Sequence, residues 1–100
     1  MSHFNKILSD NKPVLLDFYA DWCGPCKMMA PVLTQLKEKM GDSLRILKID
    51  VDKNQSLAAQ YQVRGVPTLV LMQHQNVVWK QSGVMDINTL QQTIENTSKF

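Results

Sequence analysis

Apolar positions along this chain fall into two alternating rhythms. Phe4, Ile7 and Leu8 stand at i, i+3 and i+4, the spacing of a short first helix. The run PVLLDFYA (13–20) is almost continuously apolar and aromatic, as expected of a strand covered on both faces, and Asp17 interrupts it. Met29, Val32, Leu33, Leu36 and Met40 then keep helical spacing, and Gly41 follows as a stop signal. LRILKIDV (44–51) reads as a second strand. Leu57, Ala58 and Tyr61 mark a short helix, opened by Asp52 or Asn54 as its cap. PTLVLM (67–72) and VVWKQ (77–81) are strands joined by QHQN, close enough for an antiparallel hairpin. Ile87, Leu90 and Ile94 give an amphipathic C-terminal helix after Asp86. No linker, repeat or low-complexity stretch breaks the alternation. The expected fold class is α/β: one domain over 1–100, built as a three-layer sandwich around one sheet.

Composition narrows the classes of function. One hundred residues, 44% of them hydrophobic, make a single core. A formal charge of +2, with scattered lysines, carries no signature of nucleic-acid binding. No apolar run approaches the roughly 18 residues of a membrane span. MSHFNKILSDNK, at the N-terminus, has neither the apolar core nor the cleavage site of a signal peptide. The expected location is therefore the cytoplasm, where thiols are normally kept reduced.

Both cysteines lie in ADWCGPCKMMAP (20–31), and three roles compete for them: staple, metal clip and reactive dithiol. A Cys23–Cys26 bridge closes so short a loop that its stabilisation is small, which disfavours a staple. A structural zinc site wants four ligands, and His3 and His74 are isolated residues on an N-terminal segment and a hairpin tip. The dithiol reading uses the position instead. Cys23 follows a strand and stands where a helix begins, with Pro25 suited to its first turn. A thiolate there meets free backbone N–H groups and the positive end of the helix dipole, which favour the anion. Cys26 lies one turn inside, within reach and less exposed: an attacking and a resolving thiol. Asp17, in its apolar run, either has a raised pKa or finds a partner; the bland alternative is a partly exposed strand-end residue. Lys48 on its own reads equally as a snorkelling surface lysine, Trp22 as core filler, and Met28 and Met29 as gap-fillers. Pro67 alone would be trans by default.

WCGPCK after LLDFYAD, followed by VRGVPTL and a later SGV, resembles the thioredoxin family of bacterial type, in one register from about Pro13 to the last helix. The resemblance implies a thioredoxin fold and a redox-active Cys23–Cys26 pair, with Cys23 as nucleophile and Cys26 as resolving thiol. Asp17 matches a buried aspartate that relays a proton, and Lys48 the lysine approaching it. Pro67 matches a cis-proline facing the disulfide, and Val66 the residue whose backbone pairs with a bound substrate. The implied substrate surface comprises Trp22, Gly24, Pro25, Gly65, Val66, Pro67 and Gly83. Pro31 matches a proline that bends the active-site helix. Three departures stand out: Tyr19 replaces a common tryptophan, QHQN replaces a glycine-containing turn, and the N-terminus begins late. Because residues 1–12 carry a helix-spaced triplet, the usual N-terminal strand is expected to be missing. Four strands then remain, in the order 44–51, 14–19, 67–72, 77–81, with only the first pair parallel and 44–51 as an exposed edge.

The expected function is that of a monomeric protein-disulfide reductase taking part in cell redox homeostasis and electron transport. Its partners are disulfide-containing client proteins and a thioredoxin reductase; it needs no cofactor, metal, nucleic acid or membrane. Its rivals are an oxidant or isomerase acting outside the cytoplasm, and a binding module whose dithiol is incidental.

Overall fold

The computed structural model describes residues 4, 6, 7 and 11–98. Four strands, β1 (Val14–Tyr19), β2 (Arg45–Asp50), β3 (Thr68–Gln73) and β4 (Asn76–Ser82), form one sheet in the order β2-β1-β3-β4. β1 and β2 run parallel, and the β1–β3 and β3–β4 pairs are antiparallel. The expected order and directions are all met. Around the sheet lie the α-helices α1 (Gly24–Met40), α2 (Gln55–Gln60) and α3 (Ile87–Thr97), with a short 3-10 turn at Gly41–Ser43.

Alternation along the strands builds two cores. Leu15, Leu69 and Leu71 pack with Met29, Leu33 and Leu36 of α1 and Leu90 and Ile94 of α3. Val14, Leu16, Phe18, Val70 and Met72 face the other way, onto Leu57 and Ala58 of α2. Both faces of β1 are thereby covered, as its near-continuous apolar run requires. Phe4 and Ile7 pack against the second core, and Phe4, Lys6 and Ile7 are helical. Leu8, the third member of that triplet, lies outside the described residues, as does His3. Among the described residues β2 has β1 as its only strand neighbour.

The helix ends follow their sequence signals, with one exception. Gly41 closes α1 at φ 54°, where an L side chain would be strained, and its N–H reaches Lys37 O. Asp86 caps α3, accepting from the Thr89 N–H at 3.0 Å. Asn54 occupies the N-cap position of α2 but does not cap it, because its amide donates to Asp50 O at 2.9 Å instead. Asp52, the alternative cap, is used by Trp22 (below).

Candidate active site

β1 ends at Tyr19, and the chain turns through Ala20–Trp22 directly into α1. Cys23 is the N-cap of that helix, and its own N–H donates to Ala20 O at 3.1 Å. The Cys26 N–H points back at Cys23 Sγ at 3.1 Å, so one of the helix's unpaired donors is aimed at the sulfur. Cys23 and Cys26 form a disulfide with Cα atoms 5.3 Å apart. Gly24 and Pro25, both exposed, make the first turn, and Pro31 lies within the helix.

The accessibility of the two cysteines corrects the expectation. Cys23 is only 3% exposed, whereas Cys26 is half-buried. The corner that makes Cys23 a cap also folds it into the loop. Cys26, one turn on, opens to a cavity of about 170 Å³ shared with Asp17, Tyr19, Ala20, Asp21, Lys27, Ala30 and Lys48.

Asp17 is a buried carboxyl, 3% exposed, and its Oδ1 has no hydrogen-bond partner. Burial pushes its pKa above the ordinary carboxylate range, and the charge of Lys48 pulls partly the other way. Register explains the pairing. Asp17 stands opposite Lys48 on β2 and Leu69 on β3, so one neighbour is cationic and the other apolar. Lys48 itself is exposed, and its ammonium lies over the Tyr19 ring, 5.2 Å from the centroid. A group at that distance belongs in the range of cation–π attraction.

The other implied residues gather on a second side of the site. Trp22 is 71% exposed, and its indole Nε1–H donates to Asp52 Oδ2 at 2.9 Å. With Val51, Val63, Arg64, Gly65 and Val66 it lines a groove of about 120 Å³. The Val66–Pro67 peptide bond is cis, as the resemblance implies. Gly83, at φ 99°, donates its N–H to Pro67 O at 2.9 Å, and Thr68 Oγ1 donates to Gly65 O at 2.7 Å. So Trp22, Gly65 and Val66 share a groove, Gly83 is tied to Pro67, and Asp17, Cys26 and Lys48 share the cavity. Sequence reasoning missed Asp52 as the indole's partner and the ring of Tyr19 as the seat of Lys48. Both are contacts between segments distant in sequence, which local spacing does not encode.

A disulfide-forming pair at a helix N-terminus, on a four-stranded α/β sandwich, defines a thiol–disulfide oxidoreductase. A family profile described as Thioredoxin matches residues 1–96, and the chain belongs to that family. It is 49% identical over 81 residues to a thioredoxin of Bacillus subtilis (strain 168), covering 81% of this chain and 78% of that one. Over 96 residues it is 41% identical to the chloroplastic thioredoxin Y of Oryza sativa subsp. japonica. That match takes in 95% of this chain, which spans 57% of the rice protein's length. Among solved structures, a mutant thioredoxin from Halobacterium salinarum NRC-1 superposes with a TM-score of 0.89 at 45% identity, covering 100% of this chain and 87% of that one.

Proposed function

We propose that the protein is a cytoplasmic protein-disulfide reductase that works as one monomeric domain. The observation that carries this reading is the division of labour around the disulfide: Cys23 Sγ receives a helix N-terminal N–H, and Cys26 shares a cavity with a buried carboxyl whose Oδ1 has no hydrogen-bond partner. In the reduced protein the first arrangement favours a Cys23 thiolate. That thiolate attacks one sulfur of a client disulfide, the client's S–S bond breaks, and the departing thiolate takes a proton from water. A Cys23–client mixed disulfide remains. Cys26 then gives its proton to the Asp17 carboxylate and attacks Cys23 Sγ. The mixed disulfide breaks, the second client thiolate leaves and is protonated, and the protein is left with the Cys23–Cys26 bond. Two electrons have passed to the client. A thioredoxin reductase must return them before the next turnover, which gives the protein its place in electron transport and cell redox homeostasis.

The assignment of Cys23 as first attacker rests on its cap position and not on its exposure. Trp22, Gly65 and Val66, with Gly24, Pro25, Pro67 and Gly83, provide the client surface, where a half-buried groove and an exposed indole suit an extended peptide beside the disulfide. The reading also covers Lys48, as the cation that steadies Asp17's negative form. Among the described residues no helix is long and apolar enough to cross a membrane.

The test is thiol trapping, with reduction of disulfide-bonded insulin as the activity. Cys26→Ser should accumulate a stable mixed disulfide with insulin, Cys23→Ser should trap none, and neither should catalyse turnover. Alkylation of the reduced parent near neutral pH should modify Cys23 faster than Cys26. Faster modification of Cys26, with trapping by Cys23→Ser, would reverse the two roles. An inactive parent would end the reductase reading.

A further inference from the structure

The cavity beside Cys26 contains an aromatic ring with no part in the chemistry so far. The geometry points to Tyr19 as a positioning residue for the resolving step, its ring holding the Lys48 ammonium beside the cavity that contains Asp17 and Cys26. This rests on the reductase reading above and names a residue that reading does not use.

The placement follows from strand geometry. Tyr19 is two positions beyond Asp17 on β1, so both side chains project to the same face. Lys48 is Asp17's register partner on β2, and all three line one cavity. Lys48 is exposed, and an exposed lysine on a flexible four-carbon stem ordinarily samples many positions. The ring 5.2 Å away restricts that sampling and keeps the charge at the cavity. Lys48 makes no hydrogen bond to Asp17 Oδ1, which has no partner, so its influence there acts through space and depends on where the ammonium sits.

The other groups around the cavity do not duplicate this effect. From α1 come Cys26 and Lys27, a second exposed cation that, unlike Lys48, is not opposite Asp17 in the sheet and is not among the causes of the Asp17 shift. From the connecting loop comes Asp21, exposed and of the opposite sign. β3 contributes Leu69 opposite Asp17, which carries no charge. Lys48 is thus the charge that lowers the cost of the Asp17 carboxylate, the form that accepts the Cys26 proton. Release of the ammonium from the ring disfavours that carboxylate and moves resolution to higher pH.

The experiment is single-turnover oxidation of the reduced protein by an aromatic disulfide such as dithionitrobenzoate, across pH. The first thiolate release reports attack on the reagent, and the second reports closure by the resolving cysteine. Tyr19→Leu should raise the pH midpoint of the second release, by less than Lys48→Met does, and leave the first unchanged. Tyr19→Phe and Tyr19→Trp, which keep a ring, should retain the parent midpoint. The Tyr19→Leu/Lys48→Met double variant should match Lys48→Met alone. An unmoved midpoint in Tyr19→Leu overturns the inference. So does an equal extra shift in the Lys48→Met background, which would mark packing as the cause. Should Tyr19→Leu fail to fold, the parent still decides: upfield ring-current shifts on the Lys48 methylene protons, kept in Tyr19→Phe, are expected, and their absence overturns the proposal. These shifts do not depend on insulin turnover, so failure of the reductase reading stays separate from failure of this one.

Discussion

The two faces of β1 differ by one residue along the chain and by kind in what they do. Val14, Leu16 and Phe18 enter a core of apolar neighbours that includes residues of β2, β3 and α2. Leu15 enters the opposite core in the same way, but the next position on that face is Asp17 and the one after is Tyr19, at the cavity beside Cys26. The first face contributes packing alone. The second gives up packing at one position to hold an incompletely satisfied carboxyl at the cavity that Cys26 lines, which costs stability at the place where the proposed function needs a proton acceptor. A strand with a side-chain period of two keeps these tasks apart without any insertion. A slip of one residue would exchange them, so the apolar register also fixes the chemistry.

The largest effect expected from breaking this division is on the apolar face. Phe18 is fully buried and contacts the Tyr61 ring, 6.0 Å between centroids. Phe18→Ala should cost about 3–5 kcal/mol, as large-to-small core changes do. Against a typical domain stability of about 5–15 kcal/mol, that is severe. Urea unfolding of the oxidised protein measures it. In the fraction that remains folded, the pH dependence of Cys26 closure should match the parent; a moved profile would show that the two faces are not independent.

Asp17→Asn sharpens the contrast with an effect of the opposite sign. Removing a buried, poorly paired charge should stabilise the oxidised protein at neutral pH by about 1–3 kcal/mol. It should also slow closure of the mixed disulfide more than the initial attack. The pH dependence follows from the direction of the shift. The folded pKa is raised above the usual 3.8, so between these values the native state holds a proton that the unfolded chain has lost. The destabilisation by Asp17 is complete above the folded pKa and fades as pH falls toward 3.8. The gap between Asp17→Asn and its parent should therefore be widest at neutral and alkaline pH and close on acidification. Asp86 titrates with the other sign: hydrogen bonding, from the Thr89 side chain first, holds it below its usual range, so its contribution is lost in acid. Comparing variant with parent cancels Asp86 and leaves Asp17. If Asp17→Asn destabilises at neutral pH, Asp17 is a satisfied structural group and the proton-acceptor role loses its support.

Much of this was legible in the chain because it rests on period and local chemistry. The nearly continuous apolar run within 13–20 located β1, and the strand order followed from the family resemblance with the N-terminal helix spacing of Phe4, Ile7 and Leu8. Position before Pro25 identified Cys23 as the helix cap. What was not legible depends on where separate segments meet. The exposures of Cys23 and Cys26 are set by the Ala20–Trp22 corner and the β1–β2 cavity, and they came out opposite to the helix-position argument. Asn54 was a sound cap candidate by residue type, but the end of β2 offered its amide the Asp50 carbonyl instead. Trp22 likewise reached across to Asp52, two residues past β2.

The hairpin tip, at the far end of the β3–β4 pair, is a region where local chemistry was readable and the chain went against it. Gln73 pairs with Asn76, which leaves His74 and Gln75 as a two-residue turn, with φ 53° and 68°. Two consecutive positive φ values mark the type I′ turn, whose backbone twist suits a hairpin and whose preferred residues are Asn and Gly. The register of β3 and β4 imposes that geometry on two side chains that do not favour it, with the Asn76 amide donating to His74 O at 3.1 Å. His tolerates the left-handed region better than Gln, so most of the strain lies at residue 75. Gln75→Gly should therefore stabilise by up to about 1 kcal/mol, the left-handed penalty of roughly 1–2 kcal/mol less the extra chain entropy of glycine. His74→Asn should add only a few tenths, the smallest effect expected here. Thermal unfolding of the two single variants and their combination measures both, and Cys26 closure should be unchanged in all three. A destabilising Gln75→Gly would mean that this side chain makes contacts worth more than the backbone strain it causes.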